Sequence, residues 1–67
     1  MAIIKLIEVE AQSDKSWEDA VKSALAGASQ TVRNIHKIHI KDFTAEVADN
    51  KITNFKIDAT IAFRIDR

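Results

Sequence analysis

The chain has no cysteine, no proline and only one glycine, Gly27, in 67 residues. Without cysteine, disulfides and thiolate metal sites are excluded. Neither charge is in excess, because ten Lys and Arg residues balance ten Asp and Glu residues, interspersed along the chain. No broad positive field exists to hold a nucleic-acid backbone, so no nucleic-acid partner is expected. A long apolar run is also missing. The apolar start from Met1 to Glu8 carries Lys5 and Glu8, which makes it too short and too charged for a signal peptide or a membrane span. The expectation is a cytoplasmic protein with no membrane partner. The sequence also lacks a glycine-rich phosphate loop, a nucleophile with a base beside it and a pair of catalytic carboxylates. It is therefore not read as an enzyme.

What is present describes one small globular domain over residues 1–67, with 46% hydrophobic and 30% charged residues. A domain of this size buries only about 60% of its unfolded surface, so its own core is thin. With disulfides excluded, a partner subunit is the remaining common source of stability.

Residues Ile3 to Glu10 are rich in β-branched and aliphatic side chains and read as a first strand. The polar run from Gln12 to Ser16 reads as a loop, with Ser16 placed to cap a helix by accepting from an amide near Asp19. Glu18 and Asp19 suit the positive end of that helix. From Trp17, apolar residues recur at Ala20, Val21, Ala24, Leu25, Ala28 and Val32, which gives one buried stripe with the helix ending at Val32. The stripe is mostly small, so a sheet can approach closely. Gly27 either extends that approach or is an ordinary tolerated glycine.

The helix then passes to a second strand, beginning at Ile35, with neither proline nor glycine between them. Ile38 and Ile40 share one face of this strand, whereas Phe43, Ala45 and Val47 fall on the other. A β-bulge or bend is implied near Lys41 and Asp42. Asp49 and Asn50 supply the chemistry of a hairpin turn. The third strand is the clearest signal in the chain: Phe55, Ile57, Ala59, Ile61, Phe63 and Ile65 alternate with polar residues and Ala62. This order predicts an α+β fold of β-α-β-β type, a three-stranded antiparallel sheet wrapped on one helix. One helix cannot cover two strands that each exceed ten residues, so part of the sheet is expected to meet another subunit.

Three features bear on function. His36 and His39 form an H-x-x-H pair, but positions three apart on a strand point to opposite faces, so no intramolecular metal site is expected. Trp17, the only tryptophan, reads as an anchor for the helix rather than a stacking surface for a ligand. The polar face of the third strand, Lys56, Asp58, Thr60 and Arg64, is either solvated or, inside an oligomer, a set of charge pairs and ligand contacts.

Four segments together resemble the dodecin family. They are Glu8-Val9 with Ser13 after it, Ser16-Trp17-Glu18, the junction Ala28-Ser-Gln-Thr-Val-Arg-Asn-Ile35, and Ala62-Phe63-Arg64-Ile65. The resemblance implies small flavin-binding subunits assembled into a hollow homododecamer with a storage role. Family members hold flavins in pairs at two-fold interfaces, stacked between tryptophans, with a glutamine of the last strand on the isoalloxazine edge. By spacing, Lys37 takes the tryptophan's place and Lys56 the glutamine's.

The implied cofactor is riboflavin or FMN, and the ligand-binding positions are Lys37, Lys56 and Arg64. Lysine cannot reproduce an aromatic plane, and Lys56 can donate to a carbonyl but cannot accept from a flavin N–H. Two lysines doubled by a two-fold axis would also crowd like charges unless an anion lies between them. The alternative is a shell of the same architecture that has lost flavin. It would serve as a structural assembly, or hold a metal or a phosphate-bearing ligand such as coenzyme A.

Overall fold

The computed structural model describes residues 3–65. Its elements are strand β1 (Ile3–Ser13), helix α1 (Trp17–Ser29), strand β2 (Ile35–Ala48) and strand β3 (Lys51–Ile65). They form one antiparallel sheet in the order β1-β3-β2, with the last strand in the middle. The expected β-α-β-β fold is the one observed. No helix among the described residues is long and apolar enough to cross a membrane.

Two boundaries differ from the sequence reading. β1 runs on to Ser13 because its ladder continues through Ala11↔Ile57, Gln12↔Lys56 and Ser13↔Phe55. Polar Gln12 is accepted there because the face it lies on carries no helix. The Ser13 hydroxyl is buried; it donates to Asp19 Oδ2 at 2.6 Å and accepts from the Lys15 amide at 2.9 Å. Ser16 caps the helix as expected, its hydroxyl accepting from the Asp19 amide at 2.9 Å.

The helix ends at Ser29 rather than Val32. The amides of Thr31 and Val32 both donate to the Ala28 carbonyl, at 3.2 and 2.9 Å, and the chain then leaves the axis. Ser, Thr and Val have little helix propensity to oppose this. Asn34 makes the reversal with φ of 63°, a left-handed conformation that asparagine tolerates better than most residues. The Arg64 amide donates to the Asn34 carbonyl at 3.1 Å, and Asn34 Nδ2 donates to the Arg64 carbonyl at 3.3 Å. Gly27 is exposed within the chain, and a methyl group added there would meet nothing within 4 Å.

The bulge expected near Lys41 and Asp42 is present, between Ile40 and Asp42. Its effect is the reverse of the one anticipated. Ile38 pairs with Ile61, Ile40 with Ala59, Phe43 with Ile57 and Ala45 with Phe55, and all four partners lie on one face of β3. The inserted Lys41 thus flips the phase back, so the apolar residues from Ile38 to Ala45 share the helix-bearing face. Asp49 and Asn50 form the two-residue hairpin loop, with φ of 53° and 63°, as a type I′ turn requires.

Helix α1 lies on the apolar face and buries Ala20 against Ile57 and Ala59. Trp17 packs edge-on against Phe55, with ring centroids 5.0 Å apart, and against Phe43 at 6.0 Å. Its Nε1 donates to the Thr44 carbonyl at 2.9 Å. The expected anchoring role is the one it fills.

The coverage is incomplete. The accessible surface is 5122 Å², against about 4,200 Å² for a folded monomer of this mass. The radius of gyration is 13.9 Å, against about 11 Å for a compact chain of this length. Leu6, Phe43, Val47 and Ile52 are 61%, 58%, 64% and 53% exposed. Leu6 lies on the helix-free face and Phe43 on the helix-bearing one, so apolar side chains stay uncovered on both sides of the sheet.

Candidate ligand-binding face

Directly paired residues of an antiparallel sheet point to the same side, so the register defines the face that carries no helix. Leu6, Ala62 and Lys37 form one row across the sheet. Glu8, Thr60 and His39 form the next, followed by Glu10, Asp58 and Asp42, and then by Gln12, Lys56 and Thr44. The face presents an exposed apolar side chain at Leu6, over a buried Ala62, and is strongly polar beyond them.

The bulge brings Lys41 onto this polar surface beside Asp42. Lys41 Nζ lies 2.9 Å from Glu8 Oε2 and 3.9 Å from Asp58 Oδ2, reaching from β2 across β3 to β1. Its hydrogen bond to Glu8 raises its pKa above the ordinary 10.5, with the carboxylates of Asp58, Glu8 and Asp42 adding to the effect.

At the far end, Lys56 Nζ lies 3.2 Å from Glu46 Oε2. Asn54 Nδ2 donates to the other oxygen of the same carboxylate at 3.2 Å and to Gln12 Oε1 at 2.9 Å. These hydrogen bonds, first from Asn54 and then from Lys56, hold the Glu46 pKa below the ordinary 4.5. A groove of about 500 Å³ opens beside this network, lined by Gln12, Thr44, Lys56, Glu10, Asp42 and Asp58.

The three positions singled out in the sequence do not meet within one chain. Lys37 pairs with Ala62, six residues from Lys56 along β3, or about 20 Å away. It borders a separate cavity of about 220 Å³ with Leu25, Ile35, His36 and Ile38. Arg64 lies near the Lys37 end, where its backbone is tied to Asn34. Lys56 alone lines the larger groove, and its charge is already paired with Glu46.

Sequence reasoning missed Glu46, Asn54 and Gln12. The alternation of β3 shows that Asn54 and Lys56 share a face, but Gln12 is 42 positions from Asn54, and no local signal joins them. His36 and His39 are both exposed. Among the described residues, no group of three or more His, Asp or Glu is arranged to hold a metal ion.

Comparison with known proteins places this geometry. A Thermus thermophilus dodecin, solved as a point mutant, matches with a TM-score of 0.94 at 21% identity over the whole of both chains. A Streptomyces coelicolor dodecin matches with a TM-score of 0.92 at 21% identity, covering 98% of this chain and 94% of the other. A calcium dodecin from Mycobacterium tuberculosis, described as a calcium-chelating antigen with a novel calcium-binding site, matches with a TM-score of 0.82 at 25% identity. That match covers 96% of this chain and 91% of the relative. No curated protein matches the chain. Dodecins are small-molecule binding proteins that form homo-oligomers. The family model for dodecin matches residues 3–66, and the chain belongs to the dodecin family.

Proposed function

We propose that this chain is the subunit of a flavin-binding and storage oligomer, a homododecamer, that carries out no reaction. The observation that carries the reading is the helix-free sheet face. It has an exposed apolar side chain, Leu6, in the row of Lys37 and a polar groove at Lys56, about 20 Å apart in one chain. A second copy turned about a two-fold axis brings the apolar end of one subunit toward the polar end of the next. The large uncovered surface supports such a partner.

In this reading Lys37 stands where related subunits stack a tryptophan, Lys56 stands where they place a glutamine, and Arg64 is a further ligand contact. Leu6 gives the flat ring an apolar contact, and the groove gives its polar edge hydrogen-bonding partners. Riboflavin and FMN are the ligands this reading names. Titration of the purified protein with each, followed by flavin fluorescence, tests the reading. Saturable binding of at least one is expected, and binding of neither refutes flavin as the cargo.

A further inference from the structure

The ladder of β1 ends where Ser13 meets Phe55. Helix α1 begins at Trp17, whose ring lies against Phe55 and Phe43, and runs from there over Ile57 and Ala59. Past this line, toward the hairpin loop, the sheet has only β2 and β3 and carries no helix. Residues 46–53 therefore form a two-stranded ribbon, and two strands alone are at best marginally stable in water.

The ribbon has one apolar side. Glu46 and Asn54 pair on the helix-free face. Val47, the next residue of β2, points to the other side and pairs with Ile52, Thr53 being the extra residue of β3 at that irregularity. The Thr53 hydroxyl donates to the Glu46 carbonyl at 3.3 Å. Val47 and Ile52 thus continue the row of Phe43 on the helix-bearing face, and all three are more than half exposed. Among the described residues, the other exposed large apolar side chains of that face lie at the opposite end. They are the paired Ile3 and Ile65, and Leu25 of α1, which borders a cavity with Ile35 and Ile38.

One face therefore carries an apolar patch at each end with the helix between them. The two cannot meet within one chain, since Val47 pairs with Ile52 and Ile38 with Ile61, nine positions or about 30 Å apart along β3.

We propose that the ribbon is an arm that lies on a second copy of this chain, with Val47 and Ile52 covering Leu25 at the far end of the neighbour's helix-bearing face. The contact is head to tail and repeats from subunit to subunit until it closes into a ring. Each chain then gives an arm and receives one, so both patches are covered; arm packed on arm would leave the Leu25 end bare. The surplus of exposed surface over a compact monomer, about 900 Å², is close to the roughly 800 Å² that each partner gives to a standard interface. This contact lies on the side of the sheet opposite the candidate ligand-binding face, and it rests on the oligomer proposed above but not on flavin as the ligand.

The chain has no cysteine, so introduced thiols report the contact without background. A Val47→Cys/Leu25→Cys double variant, treated with a short bis-maleimide cross-linker at micromolar protein, should give a ladder of covalent multiples of the 7.5 kDa chain. Each single variant should run as a monomer on a denaturing gel. Dimers from Val47→Cys alone would place arm on arm and overturn the proposal, as would an assembled double variant that yields no cross-linked product.

Hydrogen exchange on the wild-type assembly needs no substitution, so the test stands even if a variant disturbs folding. The amides paired within residues 46–53 should exchange at least about a hundredfold more slowly than unstructured chain. Unprotected amides there in an intact oligomer overturn the arm while leaving the oligomer in place. A wild-type monomer at micromolar concentration overturns both.

Discussion

The Trp17 indole donates to the carbonyl oxygen of Thr44 at 2.9 Å, fastening the first turn of α1 to the edge strand β2. The same ring stands edge-on to Phe43 and Phe55, so one side chain joins the helix to two strands. Trp17→Phe keeps most of the ring contact and loses the hydrogen bond, with an expected cost of about 1 kcal/mol. Trp17→Ala loses both, for about 3 kcal/mol or more. Urea denaturation of the two variants measures the difference, and equal losses would show that the ring packing contributes little.

Bound flavin should keep a substantial share of its fluorescence. The one indole is engaged on the helix-bearing side of the sheet, and Lys37, proposed above for the stacking place, has no π system to donate an electron to the excited ring. Steady-state emission at saturation checks this. Near-complete quenching would show that Lys37 does not occupy the stacking position.

Asn34 separates a conformational effect from a hydrogen bond. Asn34→Ala forces a residue with a Cβ and no polar side chain into φ of 63°, costing about 1–2 kcal/mol. It also removes the bond from Asn34 Nδ2 to the Arg64 carbonyl. Asn34→Gly loses that bond but keeps the left-handed backbone and should be the milder change. If thermal unfolding ranks the glycine variant below the alanine one, backbone strain is not what the position resists.

The Lys56–Glu46 and Lys41–Glu8 ion pairs of the helix-free face respond to opposite ends of the pH scale. Glu46 has a folded-state pKa below 4.5, so its stabilising contribution is present above that value and fades as acid titrates it. Lys41 has a folded-state pKa above 10.5, so its contribution is complete below that value and fades as the pH rises. NMR titration of the two side chains should place their midpoints outside these ordinary values, in those directions. Glu46→Gln should remove the acid-side dependence that belongs to this pair.

Native mass spectrometry at micromolar protein should give a species at a multiple of the 7.5 kDa subunit. Leu6→Glu, which puts a charge on a residue 61% exposed in the single chain, should shift the population toward smaller species without changing the far-ultraviolet circular dichroism. A stable wild-type monomer at that concentration would rule out the oligomer.

Much of the fold was legible because it is locally encoded. Ser16 marks the helix start, Asp49 and Asn50 the hairpin, and the alternation from Phe55 to Ile65 the central strand. The bulge at Lys41 was visible as a broken period, but its consequence was misread. An inserted residue restores the phase of the strand after it, so Phe43 and Ala45 return to the core side. The limits of β1 and α1 were set by long-range partners instead: Phe55 extends β1 to Ser13, and Arg64 receives the chain after Asn34. The candidate site suffered most from this. Lys56 could be singled out, but its pairing with Glu46 depends on the hairpin register and on a further irregularity between Glu46 and Val47.

The strand order has a consequence for how the chain folds. Because β3 is both the central strand and the last of the four elements, β1 and α1 have no sheet to join until β3 exists. The hairpin of β2 and β3 closes through a two-residue loop and can form early. Pairing of Ile3 with Ile65 closes nearly the whole chain and must come late, the kind of non-local contact that slows folding. Until that step, the apolar underside of β3 lies open beside a helix that cannot yet cover it.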